Sequence, residues 1–369
     1  MYRFLIINPG STSTKLAVYH NDEEVQSEKI SHDAEFIQSF DAIYDQFDFR
    51  LKIIEDYIEK HNLNLYEFTA VVGRGGNMEP VVGGTYEVNE KMIEDLKVGV
   101  MGQHASNLGG GLAYAIAKKY GLKAYVVDPV VVDELEPLAR ISGSPLIERK
   151  SKHHPLNQRA VARLAASEMG GKYEDFNFIV AHMGGGISVG VHKKGRIVDV
   201  NNCLNGDGPM SPERSGGLPF GSVIDLCFSG KYTKKELEKQ FVGQGGLVGY
   251  LGTNDAREVV ERIKNGDEYA KLIYEALAYQ VAKEIGSCAT VLKGNVDAIL
   301  LTGGLAYDDL LTGWIEERVK FIAPIRRYPG EHEMKALAQG VMRVLDKVEE
   351  LQVYPNPKKD KKDKVLINI

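Results

Sequence analysis

Residues 4–19 and 178–192 repeat one form half a chain apart: apolar strand, small polar turn, apolar strand. In the first, Phe4-Leu5-Ile6-Ile7 passes through Asn8-Pro9-Gly10-Ser11-Thr12-Ser13-Thr14-Lys15 into Leu16-Ala17-Val18-Tyr19. In the second, Phe178-Ile179-Val180-Ala181 passes through His182-Met183-Gly184-Gly185-Gly186 into Ile187-Ser188-Val189-Gly190-Val191. Allowing one residue of slippage in the turn, the match predicts two lobes of related architecture. The length agrees, since 369 residues exceed one hydrophobic core and suit two ordinary domains.

Strands alternate with long helical patterns at 34–60, 105–120, 155–169, 268–292, 310–321 and 333–351, so each lobe is expected to be α/β. The first boundary is expected near Ile141-Ser142-Gly143-Ser144-Pro145. That gives a first lobe over 1–145, completed by the C-terminal helix at about 335–352. A second lobe covers 146–334, and a charged tail covers 353–369. The run Lys358–Lys364 in that tail mixes charges without apolar spacing and is expected to stay solvated.

Each turn is built of residues that let a backbone come close to something. Glycine has no Cβ, and Ser or Thr hydroxyls with free N–H groups can cradle phosphate oxygens. Either turn alone reads equally as a plain β-hairpin, but the pair, each opening a lobe, reads as a nucleotide clamp. A third turn, Leu300-Leu301-Thr302-Gly303-Gly304-Leu305-Ala306, runs from a strand through Thr-Gly-Gly into an expected helix, whose N-terminus would face a nucleotide.

Other phosphate motifs fail. Gly190–Gly195 has Walker A glycine spacing, but Arg196-Ile197 stands where Lys and Ser or Thr are required. Gly109-Gly110-Gly111-Leu112-Ala113-Tyr114 lacks the third glycine of a dinucleotide fingerprint. Three separated cysteines and nine histidines without H-E-x-x-H spacing call for neither disulfides nor a transition metal. A net charge of −6 argues against a nucleic-acid partner. The start Met1-Tyr2-Arg3 carries no basic n-region, and no apolar run is long enough to cross a bilayer, so no membrane partner and a cytoplasmic location are expected.

Strand-turn-strand twice, then strand-Thr-Gly-Gly, resembles the acetate and sugar kinase, heat-shock cognate and actin superfamily. The resemblance implies two duplicated actin-like (ribonuclease H-like) lobes with ATP in an interlobe cleft. Within the superfamily the acetate kinase family matches best, from residue 3 to about residue 345. Asn8–Lys15 resembles the family's opening Asn-x-Gly-Ser-Ser-Ser-x-Lys, and His182–Gly186 resembles His-Leu-Gly-Asn-Gly with Gly185 in place of Asn. Glu213-Arg214-Ser215-Gly216 resembles Thr-Arg-Ser-Gly, and Asn254-Asp255-Ala256-Arg257 resembles an Asp-x-Arg segment beside the adenosine. The wording at 84–88, 104–109 and 128–134 resembles the branch of the family that acts on butanoate.

Carried onto this chain, the resemblance implies ATP-binding roles for Asn8, Ser11, Ser13, Lys15, His182, Gly184, Gly185, Gly186, Asp255, Arg257, Gly303, Gly304 and Ala306. It implies catalytic roles for Arg74, Asp128, His154 and Arg214. Arg74 and Arg214 would hold the substrate, and Asn8, Asp128 and Glu333 a magnesium ion, with Glu331 a rival for the last place. The chemistry is consistent with such a set. A short-chain acid has a pKa near ~4–5 and needs no general base, whereas bringing an anion to the γ-phosphoryl group needs guanidinium forks, Mg2+ and backbone donors. Where acetate kinases carry Val-Val after the first arginine, this chain has Gly75-Gly76, so Gly76 is expected to open the acyl pocket for butanoate. Acetate, propionate or branched-chain acids are the alternatives. Outside that class stand an actin-like ATPase module, which has no carboxylate to hold, and a sugar kinase, which needs an aspartate base. A homo-oligomer is also expected.

Overall fold

The computed structural model describes residues 1–204 and 207–356; the charged run Lys358–Lys364 lies outside them. The chain divides into two compact units, residues 1–133 with the segment from His332 onward, and Glu134–Glu331.

The first unit is built on β1 (Arg3–Pro9), β2 (Ser13–His20), β3 (Glu23–Ser31), β4 (Ala70–Arg74), β5 (Thr85–Glu87) and β6 (Lys123–Val127). They lie in the order β3-β2-β1-β4-β6-β5, with β1, β4 and β6 parallel and the others antiparallel to their neighbours. The second unit uses β7 (Asn177–Met183), β8 (Ile187–Lys193), β9 (Arg196–Val200), β10 (Ala298–Gly303) and β11 (Ile325–Pro329) in the order β11-β10-β7-β8-β9. There β7, β10 and β11 are parallel, and β8 and β9 turn back antiparallel. Read from the three antiparallel strands inward, the two sheets have the same order and direction, and β5 is an addition to the first. Even the register shift recurs, at Val18/Tyr19 in β2 and at Val191/His192 in β8. The duplication expected from the repeat, and the α/β actin-like class, are thus borne out.

The parallel strands are buried on both faces, which is why Phe4-Leu5-Ile6-Ile7 and Phe178-Ile179-Val180-Ala181 are continuously apolar. In the first unit Leu5, Ile7, Val71 and Val126 meet the helices Phe47–Lys60 and Asn107–Lys119. The helix Glu333–Leu345 packs on β1, β4 and β6, its Gly340 so close to Val127 that a side chain there would clash. In the second unit Ile179, Ala181, Ile299 and Leu301 face the helices Glu268–Val291 and Asp309–Val319. Phe178, Val180 and Leu300 face Val161, Ala162 and Ala165 of the helix Pro155–Glu168. Each such aliphatic or aromatic side chain removed from water contributes about 1.5–3 kcal/mol.

Several expectations change. The helix expected over 34–60 is broken into Ala34–Gln38, a 3₁₀ turn Ile43–Gln46 and Phe47–Lys60. The seam falls at Asp133/Glu134 rather than near Pro145, because Leu135 and Ala139 pack with Ile197 and Val200 and the Glu134 carboxylate accepts the Ile197 N–H at 2.8 Å. After Gly303, Gly304–Tyr307 forms only a 3₁₀ turn before the helix at Asp309, so the Thr-Gly-Gly turn does not open directly onto an α-helix. Tyr354, ahead of the charged run, is buried, and its hydroxyl donates to Asp95 at 2.7 Å and accepts the Glu79 N–H at 3.0 Å. Among the described residues no helix is long and apolar enough to cross a membrane.

Candidate active site

In the first unit the turn between β1 and β2 is tight, with the Gly10 N–H donating to the Ser13 carbonyl at 2.8 Å. Its shape is set from beneath by Arg50, which sequence reasoning missed. This guanidinium is fully buried and donates to the Gly10 carbonyl (2.9 Å), the Ser13 carbonyl (3.0 Å), Thr14 Oγ1 (3.0 Å) and Gln46 Oε1 (2.9 Å). Burial pushes Arg50 down to about 10, so it remains a cation at neutral pH. It thereby holds the turn's carbonyls from the core side, while Ser11 and Thr12 are exposed. A signal was present: Arg50 shares one helix face with Ile54, Tyr57 and Ile58, at spacings of four, seven and eight residues, and a charge on a buried face needs a partner. Lys15 pairs across the hairpin with Asn8.

The C-terminal ends of β1, β4 and β6 deliver Asn8, Arg74 and Asp128 to one edge of the sheet, the usual place for ligands in an open α/β sheet. There the helix Glu333–Leu345 begins. The Glu333 carboxylate is ion-paired with Arg74 and accepts from Asn8 Nδ2 at 3.2 Å, and the side chains of Arg74 and Glu333 are only 17% and 10% exposed. Asp128 is buried with φ 40°, a left-handed conformation rare outside glycine, and its Oδ1 accepts the Gly84 N–H at 2.8 Å. A left-handed backbone at a residue with a side chain costs about 1–3 kcal/mol, and the Asp128 N–H also donates to the Gly84 carbonyl at 2.9 Å. Glu331, by contrast, is exposed and belongs to the other unit.

The glycines around Arg74 have a structural reason. A side chain on Gly73 would collide with the Gly109 carbonyl, and one on Gly109 with the Arg74 carbonyl, so the run Gly109-Gly110-Gly111 serves close packing of helix on strand. Gly76 overturns its own expectation. A Cβ there would lie 2.5 Å from Asn107 Cα and 2.6 Å from its backbone N, so the space is filled by the start of the helix Asn107–Lys119 and is not an opened acyl pocket.

In the second unit the turn Gly184–Gly186 joins β7 to β8. Arg214 lies directly on Gly186, where any side chain would collide with its guanidinium, and donates to the Cys203 carbonyl at 2.8 Å. Ser211 Oγ holds the Gly185 carbonyl at 2.7 Å, and Asn254 Nδ2 reaches Glu213 Oε1 at 2.8 Å. That contact links the turn to the segment of Asp255 and Arg257, which pair with each other at the surface at 2.6 Å. The Arg257 partner pulls Asp255 down to about 2. Gly303 (φ 89°) sits against the Met183 backbone, Gly304 has open space around it, and Ala306 is buried.

His154 stacks on His182, ring centroids 4.0 Å apart and 16° from parallel. His154 Nδ1 meets Ser188 Oγ at 2.8 Å, and His182 Nδ1 meets Asn157 Nδ2 at 2.8 Å. The neighbouring His153 is buried elsewhere, its Nδ1 on Ser151 Oγ at 3.1 Å, and burial pushes it down to about 3. Within this unit Arg214, Gly184–Gly186, His154 and His182 therefore form one set of donors, with Asp255 and Arg257 at its margin. Among the described residues no group of three or more His, Cys, Asp or Glu could hold a metal by itself. Asn8, Asp128 and Glu333 supply oxygen donors only, the donor type that Mg2+ takes together with phosphate oxygens and water.

Residues 144–309 match the model of the acetokinase family. The chain is 57% identical to butyrate kinase 1 of Clostridium acetobutylicum, over 96% of its own length and 100% of that protein. It is 56% identical to butyrate kinase 2 of the same organism, over 96% of this chain and 99% of that one. The crystal structure of Porphyromonas gingivalis acetate kinase superposes with a TM-score of 0.77 over 94% of this chain and 100% of that chain, at 18% identity, a likeness of fold alone.

Proposed function

The chain belongs to the acetokinase family, and from that premise we propose that it is an ATP-dependent kinase of short-chain fatty acids with butanoate as its acceptor. A carboxylate oxygen of butanoate attacks the γ-phosphorus, the bond from that phosphorus to the β,γ-bridging oxygen breaks, and butanoyl phosphate and ADP result, reversibly. The observation that carries this reading is the 57% identity to a butyrate kinase over 96% of this chain.

The residues supply what the reaction lacks in water. Arg74 and Arg214 are assigned to the carboxylate and the transferring phosphoryl oxygens, which a planar guanidinium holds in a bidentate fork. His154 donates to the phosphoryl group in transit, and no general base is required. The two glycine-bearing turns, with Lys15, His182, Asp255, Arg257, Gly303, Gly304 and Ala306, bind ATP. Asn8, Asp128 and Glu333 are assigned to Mg2+, which when bound would neutralise phosphate charge.

We place the protein in the cytoplasm as a homo-oligomer of at least two copies. The helix Phe220–Phe228, which exposes Phe220, Ile224 and Phe228, supports the second point, because apolar surface of this kind is usually covered. Hydroxamate trapping of the acyl phosphate with ATP, Mg2+ and acetate, propionate, butanoate, isobutanoate or valerate tests the function. The highest kcat/KM is expected for butanoate, and no acyl phosphate from any acid would refute the reading.

A further inference from the structure

Behind His154 a chain of buried polar side chains runs through the second unit. Tyr173 OH lies 2.6 Å from His192 Nδ1, His192 Nε2 3.0 Å from Gln158 Oε1, and Gln158 Nε2 2.8 Å from Ser188 Oγ, which meets His154 Nδ1. Its direction is determined at one point. Gln158 Nε2 also lies 3.1 Å from the Ser188 carbonyl oxygen, which can only accept, so the amide faces that way round. Gln158 Oε1 then accepts from His192 Nε2–H, and His192 Nδ1 accepts the Tyr173 hydroxyl. Ser188 Oγ receives an N–H from Gln158, and its remaining partner among the described residues is His154 Nδ1, the one acceptor open to its own buried proton. His192 keeps one proton because burial, reinforced by Arg159, His153 and Arg163, holds it well below the usual imidazole range.

His182 is held the same way by a separate chain. Thr302 Oγ1 donates to the Gly330 carbonyl at 3.3 Å, so it accepts from Asn157 Nδ2 at 3.1 Å, and the other Asn157 N–H goes to His182 Nδ1. Both chains are anchored on a backbone carbonyl, and both bring a donor to an Nδ1. The site was shaped for the first chain: a Cβ on Gly190 would collide with Gln158 Oε1, so β8 carries a glycine where the amide lies.

We propose that Ser188 and Gln158, backed by His192 and Tyr173, are positioning residues that lock His154 as the neutral Nε2–H tautomer. Asn157 and Thr302 do the same for His182, so that the stacked pair presents two N–H donors to an anion at the glycine turn. His182 Nε2 already lies 3.3 Å from where a Cβ of Gly184 would stand. Neutral donors suit the stack, since two imidazolium rings at this separation would repel, and the charge for the phosphoryl group comes from Arg214. Among the described residues the titratable and charged groups near the pair include the Cys203 thiol, 3.8 Å from His154 Nδ1 and pushed up by burial to about 11, Arg214 on the Cys203 carbonyl, the buried His153, and the Glu331 carboxylate, whose Oε1 lies 3.9 Å from the same Gly184 Cβ position.

This inference rests on the proposed function for its catalytic meaning, but its test does not. The full chain labelled with 15N-histidine is observed by long-range 1H–15N NMR, resonances being assigned with His154→Asn and His182→Asn. Both rings are expected as Nε2–H with a bare Nδ1, with or without ADP. Gln158→Met is expected to split His154 between tautomers while leaving His182 unchanged. Its kcat should fall about tenfold or more at a nearly constant KM for ATP, because a donor lost in the transition state is not a ground-state contact. Ser188→Ala repeats the result should Gln158→Met fail to fold, and Ser188→Thr, which keeps the hydroxyl, restores the parental tautomer. An Nδ1–H or doubly protonated His154 in the parent overturns the proposal, as does a His154 unchanged in both Gln158→Met and Ser188→Ala. A parent that phosphorylates no short acid would instead refute the proposed function, leaving the NMR result to decide the tautomer lock.

Discussion

The carboxylate of Glu333 takes both the Arg74 guanidinium and the Asn8 amide on the same oxygen, Oε2, joining the ends of β4 and β1 to a helix that starts 259 residues after Arg74. Because both charged side chains are largely buried, removing either takes from the other its charged partner in this pair. Glu333 is thus tied to the first arginine as well as assigned to the metal, and its substitution reports on both.

Asp128→Asn and Glu333→Gln are each expected to raise the Mg2+ concentration needed for half-maximal activity at fixed ATP, while exposed Glu331→Gln raises it much less. With one carboxylate gone, the cation is held mainly by phosphate oxygens and water. Titrating Mg2+ for the three variants decides the matter, and a largest shift in Glu331→Gln would reassign the metal ligand.

Arg214→Ala is expected to abolish most turnover while ADP binding, measured by calorimetry, stays close to that of the parent. Loss of one preorganised charged donor to the transferring group costs ~3 kcal/mol or more of barrier. A variant that keeps a tenth of the parental kcat would show that Arg214 is peripheral.

Gly76→Val should damage the protein without changing its choice of acid. The valine Cβ would meet the backbone of Asn107, and overpacking of this kind costs about 1–3 kcal/mol or more. Thermal unfolding should report a lower Tm, and the butanoate-to-acetate ratio of kcat/KM should stay constant. A ratio that falls selectively for butanoate would restore the open-pocket explanation.

Arg50→Met removes every donor that the buried guanidinium supplies to the first turn. With the Gly10 and Ser13 carbonyls left without it, a loss of about 3 kcal/mol or more in urea unfolding is expected. In the folded fraction the KM for ATP should rise more than that for butanoate, because the turn is assigned to the nucleotide. Equal changes in both would mean that Arg50 serves stability alone.

Much was legible in the chain before folding. Two apolar runs of four, each followed by a small-residue turn and a second strand, specify duplicated sheets, because a strand buried on both faces must be apolar throughout. The glycine-bearing turns were legible because glycine there lets a backbone come close to something, whereas the arginine, histidine and carboxylate roles were legible only through the resemblance to the acetate kinase family. Sequence alone could not reveal partners separated by hundreds of residues. That Glu333 meets Arg74, that Arg50 braces Gly10, and that Ser188 and Gln158 set His154 all depend on packing, in which burial obliges each polar atom to find whichever donor or acceptor the fold brings near. Gly76 shows the same division. Its lack of a side chain is plain in the sequence, but whether empty space or the Asn107 backbone lies beyond it was decided only when the helix Asn107–Lys119 docked against β4.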